Sequence, residues 1–183
     1  MKRMSCAFAG HRPEKLPWKY DEADEQCIKL KAALLSQIAD LAESGVTHFL
    51  SGMARGVDLW AALSVLELRK HNPKVKLHCI LPCTTQADEW SDYEREVYQK
   101  ILQQTDSVVY VNREYHKDCM LDRNHFMVDH ADMLLAVHGN MTARRGGTAA
   151  TVRYARKMGK KIILLNPLSL DITCVNMDNP KSR

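Results

Sequence analysis

The sequence predicts an α/β fold, a doubly wound and mostly parallel sheet with helices on both faces. Three observations predict it. Short apolar runs alternate with amphipathic segments from residue 4 to residue 165. Several of the runs are almost continuously apolar, as parallel strands covered on both faces should be. Two glycine turns each lie between an apolar run and a segment of helical periodicity, the order that β-α units produce.

The elements follow in chain order. Met4–Ala9 reads as the first strand. Cys27, Leu30, Leu34, Ile38 and Leu41 then fall at helical spacing, and Gly45 is a good stop. Thr47–Leu50 is the second strand, followed by the turn Ser51-Gly52-Met53-Ala54-Arg55-Gly56-Val57-Asp58. Ala61, Val65 and Leu68 mark the next helix, which ends before Pro73. Val75–Leu81 is the third strand, and Trp90, Tyr93, Val97 and Ile101 form a third stripe, with Tyr93 expected in the core. Ser107–Val111 is a strand, and residues 118–130 a shorter helix with Met120 and Met127 as core fillers on one face. Met133–Val137, a helix from Thr148 to Met158 with Gly159 as its stop, and strand Lys161–Leu165 complete the series. These elements make one domain, residues 1–166, and 167–183 lose periodicity and are expected to be a loose or docked tail.

Composition excludes several classes. A chain of 183 residues is long enough for one sizeable core, and 45% hydrophobic with 26% charged residues is ordinary globular usage. The formal charge of +4 is mild and does not by itself call for nucleic acid. No apolar run approaches the ~18 residues of a membrane span, and the start Met1-Lys2-Arg3-Met4-Ser5 lacks the apolar length of a signal peptide. The six cysteines are scattered, without a CxxC pair, which suits reduced, buried thiols in a cytoplasmic protein. His78, Cys79 and Cys83 lack a second ligand pair at zinc spacing, so no metal site is expected.

In such sheets ligands bind beyond the carboxyl ends of the strands, near the switch in strand order. Gly10, His11 and Arg12 follow the first strand, and the turn with Gly52, Arg55 and Gly56 follows the second. The fifth strand leads through His138, Arg144 and Arg145 to Gly146, Gly147 and Thr148. Glycines let a backbone approach a ligand, and the unpaired N–H groups and dipole of a following helix favour an anion, most often a phosphate. Ser51 reads as a polar ligand contact or a turn hydroxyl, outside any G-x-S-x-G elbow. Asp58 fits either a ribose or turn contact or a surface carboxylate at a helix start. Trp90 fits either core or a base-stacking platform. A dinucleotide fingerprint is absent, because Gly10 lacks the second and third glycines of G-x-G-x-x-G.

Gly10-His11-Arg12, the Ser51–Asp58 turn, Arg123-Asn124 with Met127-Val128-Asp129, and Gly146-Gly147-Thr148 together resemble the YpsA-like family of the SLOG superfamily. That superfamily of Rossmann-like domains is named for DprA/Smf and LOG proteins. The resemblance implies binding of nucleotides or nucleotide-derived molecules, and it places Arg123 in the cleft. Superfamily relatives often pair, so a homodimer is an expected partner. LOG enzymes split the N-glycosidic bond of nucleoside monophosphates and carry a glutamate soon after a Gly-Gly-x-Gly-Thr turn. Here the turn is shorter, and the corresponding position, near Ala150, is apolar. The nucleotide-cradling part is thus kept, while Asp58 or Glu89 would have to replace the hydrolytic carboxylate.

The expected function is therefore binding of a nucleotide-type ligand, such as an ADP-ribose species, by a sensor or regulatory protein without turnover. The expected ligand-binding set is Gly10, His11, Arg12, Ser51, Gly52, Met53, Ala54, Arg55, Gly56, Asp58, Arg123, Asn124, Gly146, Gly147 and Thr148. No cofactor beyond that ligand is expected. The competing readings are a nucleoside-monophosphate N-glycosidase and, further off, single-stranded DNA binding of the DprA type. The latter lacks support from long basic tracts or an aromatic platform.

Overall fold

A computed structural model describes residues 3–139 and 146–175. Strands β1 (Met4–Gly10), β2 (Val46–Ser51), β3 (Lys76–Leu81), β4 (Ser107–Tyr110), β5 (Met133–Val137), β6 (Lys161–Leu165) and β7 (Ile172–Val175) form one sheet. Their spatial order is β4-β3-β2-β1-β5-β6-β7. All neighbours are parallel except β7, which runs antiparallel to β6. The helices are α1 (Glu25–Glu43), α2 (Val57–Arg69), α3 (Asp92–Leu102), α4 (Cys119–Asp129) and α5 (Gly147–Lys157), and a short 3-10 turn occupies Pro13–Lys15.

Strand side chains alternate between the two faces, so each face has its own core. Phe8, Phe49, Leu77, Leu135 and Ile163 pack with Leu30, Leu34 and Ile38 of α1 and Ala61 and Val65 of α2. Ala7, Leu50, Leu134 and Ile162 pack on the other face with Met127 and Val128 of α4 and Val152 and Ala155 of α5. Helix boundaries are set locally. Asp24 caps α1 through Oδ1, which accepts from Gln26 N at 2.8 Å and Cys27 N at 3.2 Å. Ser91 and Glu94 form a capping box at the start of α3.

Strand order reverses at β1. The chain proceeds from β1 outward to β4 and then returns to the opposite side of β1 as β5. Gly10 stands in register with Val137, so the chain leaves both strands side by side at the switch point.

Two expectations are corrected. Tyr93 is exposed (67%), because the buried residues of α3 are Tyr98 and Ile101, and Trp90 precedes the helix and packs edge-on against Tyr98 at 5.3 Å. Met120 is half-buried and lines the cleft described below, while Met127 is buried. In the segment after Pro167, β7 docks on the sheet edge beside β6. Of the six cysteines, Cys174 is exposed and the other five are buried, all of them free thiols. Among the described residues, no helix is long and apolar enough to cross a membrane.

Candidate functional site

The site is built where β1, β2 and β5 end. At the end of β1, a Cβ on Gly10 would collide with the side chain of Val57, so only glycine lets α2 start this close to the strand. His11 O then accepts from Val57 N at 3.4 Å. Gly56 lies directly beneath that carbonyl. It has φ +83°, and a Cβ there would sit 2.7 Å from His11 O.

The turn after β2 spends its polar groups on itself and its neighbours. Ser51 Oγ donates to Asp58 O at 2.8 Å and accepts from Met53 N at 3.1 Å, and Ser51 is fully buried. Gln86 Nε2 donates to Met53 O at 2.8 Å and Gly52 O at 3.2 Å. Ala54 N donates to Asp58 Oδ2 at 3.4 Å. The Arg123 guanidinium presses on Gly52, donating Nη1 to its carbonyl, and lies 4.0 Å from Asp58 Oδ2. Arg123 Nε is fixed by Asn124 Oδ1 at 2.8 Å. Burial raises the pKa of Asp58, against the opposing pull of Arg123 and of the Ala54 N–H. Burial also lowers that of Arg123, which nevertheless stays protonated.

The start of α5 is open by contrast. Its N-cap, Gly146 (φ +106°), has no side chain to cap with, and no carboxylate lies in its first turn. No atom of the described residues comes within 4 Å of a Cβ placed on Gly146 or Gly147. Basic Arg156 and Lys157 occupy the last turn, where they offset the negative end of the helix dipole. What matters at the first turn is the set of N–H groups that the helix itself leaves unpaired.

A cleft of about 590 Å³ runs between these parts. Its walls bring together Gly10, His11, Arg12, Ala54, Asp58, Arg123, Asn124, Gly146, Gly147 and Thr148 from the expected set. Ser51, Gly52, Met53 and Gly56 are buried in the turn behind the wall. Arg55 lines the adjoining chamber described below rather than this cleft. It pairs with Glu14 at 2.8 Å and Glu94 at 3.8 Å, and its guanidinium lies 5.8 Å from the ring centres of both Tyr20 and Trp90. Arg144 and Arg145 lie outside the described residues.

A second chamber of about 580 Å³ adjoins the first, sharing Arg12, Ala54 and Met120 with it. Arg55, Thr85, Gln86, Asp88, Glu89, Trp90 and Tyr115 complete its wall. Gln86 and Tyr115 were not singled out from the sequence. The available signal for Gln86 was its place in the loop after β3, at the same edge of the sheet as the glycine turns. His138 also joins the site, its Nδ1 3.2 Å from His11 Nε2. Burial and the neighbouring His138 and Lys15 lower the pKa of His11, which favours a neutral imidazole. Among the described residues, no three His, Cys, Asp or Glu side chains are grouped to hold a metal ion.

Comparison with known proteins identifies the family and the fold. A UPF0398 protein of Bacillus cereus (strain B4264) is 31% identical over 157 residues, covering 84% of this chain and 83% of the relative. A UPF0398 protein of Bacillus thuringiensis (strain Al Hakam) matches to the same extent. Among solved structures, DNA processing protein A from Helicobacter pylori, described in terms of its single-stranded DNA binding mode, aligns with a TM-score of 0.57. That alignment has 19% identity and covers 88% of this chain but 64% of that one, so it speaks to the fold alone. The model of the YspA SLOG family, YpsA, matches residues 6–170. The switch-point cleft and its glycine turns are thus features of a chain that belongs to the YpsA family of SLOG proteins.

Proposed function

We propose that this chain binds a nucleotide or nucleotide-derived ligand, such as an ADP-ribose species, and acts as a sensor or regulatory protein without turnover. The carrying observation is the asymmetry between the two glycine turns. The Gly52–Gly56 turn is filled by its own hydrogen bonds, whereas the first turn of α5 opens on the cleft without a capping side chain or a carboxylate. A phosphate therefore belongs over Gly146, Gly147 and Thr148, with Arg12 and Arg123 offsetting its charge across the cleft. The adjoining chamber, with Trp90 and Tyr115 in its wall, suits the base.

No carboxylate stands in the first turn of α5, which argues against LOG-like hydrolysis. Asp58 and Glu14 both line the cleft, and burial suits the Asp58 carboxyl to hold a proton, which favours the hydrolase. Single-stranded DNA binding draws support from the fold shared with the Helicobacter protein and from Arg156 and Lys157 on α5.

A thermal-shift panel of AMP, ADP, ATP, NAD, ADP-ribose and a single-stranded oligonucleotide, with chromatography of every mixture, tests these readings. A ligand that binds only the folded state at ~100 times its Kd adds about 2.7 kcal/mol. The sensor reading expects a raised Tm with the small ligand recovered intact. Released base establishes the hydrolase instead. A shift confined to the oligonucleotide and suppressed by salt establishes the DNA reading.

A further inference from the structure

The two strands that meet at the switch point carry a histidine pair beyond their ends. His11 follows β1 and His138 follows β5, and His11 Nε2 lies 3.2 Å from His138 Nδ1. The rings are tilted by 60°, with centres 5.2 Å apart. Such a contact holds one proton between its two nitrogens. His11 Nδ1 has no hydrogen-bond partner among the described residues, and it is not one of their buried unpartnered atoms, so solvent reaches it. His11 is half-buried and lines the same cleft as the first turn of α5.

Charge in the cleft sets the state of the pair. The segment after β1 contributes Arg12, Glu14 and Lys15, α2 contributes Asp58, and α4 contributes Arg123. Glu14 is engaged by Arg55 and Asp58 lies beside Arg123, so cations prevail around His11. The start of α5 adds Gly146, Gly147 and Thr148, none of them charged. Burial, His138 and Lys15 accordingly favour a neutral His11. A phosphate over α5 reverses that balance, because an anion in the same cleft favours the protonated ring. We propose that the His11–His138 pair takes up a proton when a phosphate enters the cleft, which makes pH a regulator of ligand binding. The proton comes from solvent. His11 Nε2–H then donates to His138 Nδ1, and His11 Nδ1–H is left to donate to a phosphate oxygen. The proposal rests on the nucleotide reading above and names the regulation of that same site.

The test is calorimetry of AMP binding to the intact wild-type chain at pH ~7, in PIPES and in Tris, whose ionisation enthalpies differ. The difference in heat counts protons, and the expected uptake is at least about 0.3 proton per AMP bound. AMP is mostly dianionic at that pH, and a cationic cleft can only strip its remaining protons, so net uptake belongs to the protein. A group whose pKa rises on binding adds affinity in full below its free pKa, and the gain disappears as pH rises through the pKa in the complex. AMP should therefore bind at least about threefold more weakly at pH ~8 than at pH ~6.5. His11→Gln removes the titration, and uptake should fall below about 0.1 proton in a variant whose circular dichroism matches the wild type. If that variant does not fold, NMR of the wild-type imidazoles replaces it: one histidine must raise its titration midpoint with AMP, and none rising overturns the proposal. Undiminished uptake in folded His11→Gln overturns it too and assigns the proton to another cleft group, such as Asp58. AMP binding without uptake by the wild type overturns the inference and leaves the nucleotide reading standing. Absence of binding by both AMP and ADP-ribose overturns the nucleotide reading and this inference with it.

Discussion

Gly147→Ala separates what the fold needs from what a ligand needs. Gly147 is the first residue of α5, outside the left-handed region, and an added Cβ meets no atom of the described residues within 4 Å. Replacing a glycine by alanine at such a site stabilises a protein by about 0.4–1 kcal/mol, chiefly by restricting the unfolded chain. For a domain of this size, 1 kcal/mol moves Tm by about 2–4 °C, so the ligand-free variant should melt about 1–4 °C higher than wild type. The same methyl group stands where a phosphate oxygen would approach the first-turn N–H groups. Affinity should therefore fall at least tenfold, about 1.4 kcal/mol, and the ligand-induced shift should shrink although the protein itself is sturdier. Differential scanning fluorimetry with and without AMP or ADP-ribose reads both effects. An undiminished ligand shift would refute a phosphate over Gly147, and a lower Tm without ligand would refute the open space around it.

Other perturbations follow from the same geometry. Gly56→Ala combines backbone strain at φ +83° with a Cβ 2.7 Å from His11 O, and should destabilise by about 2–6 kcal/mol in denaturant titrations. A loss below ~0.5 kcal/mol would contradict it. Arg123→Leu strands the buried Asp58 carboxylate and should cost about 3–5 kcal/mol, part of which Asp58→Asn should restore in the same background. His48 Nδ1 and His78 Nε2 lie 2.7 Å apart, and burial lowers both pKa values from 6.5, as it does that of His11. The unfolded chain then binds more protons below that pH. Stability should be complete above pH ~6.5 and decline as pH falls toward the lowered values, a trend that denaturant midpoints at pH 7.5 and 5.5 would reveal. Ser91→Ala should remove about 1 kcal/mol by opening the capping box of α3.

The fold was legible where burial writes a pattern. Met133–Val137 and Lys161–Leu165 have the predicted limits because both faces are covered, so the apolar run and the strand coincide. Strand β7 escaped because its residues are exposed or half-buried and leave no alternation, and it is positioned by backbone pairing with β6. Tyr93 was misplaced because Trp90 set the phase of the stripe, yet Trp90 precedes a helix that starts at Asp92. The cleft was legible through its glycines, but glycine spacing does not distinguish a turn closed by its own hydrogen bonds from an open one. That distinction required Arg123 and Gln86, which reach the Gly52 carbonyl from sites 71 and 34 residues away. Arg55 lines the adjoining chamber, but nothing local announces Glu14 and Glu94 as its partners there.

The position of β1 at the centre of the sheet bears on how the chain is made. Its second neighbour, β5, is joined to it through Asp132, whose Oδ2 accepts from Ser5 N across 127 residues. At roughly 5–20 residues per second of synthesis, β1 waits on the ribosome for roughly 6–25 s with one edge unpaired. An open edge is a template for wrong partners. The sequence moderates that hazard by order of arrival. β1 contains Ser5, Ala7 and Ala9, whereas the aliphatic strands Met133–Val137 and Lys161–Leu165 emerge late and pair with an edge already in place. Truncation before Met133 should therefore leave a chain that both lacks the cleft and gathers in aggregates, since the strand that completes the first also shields against the second.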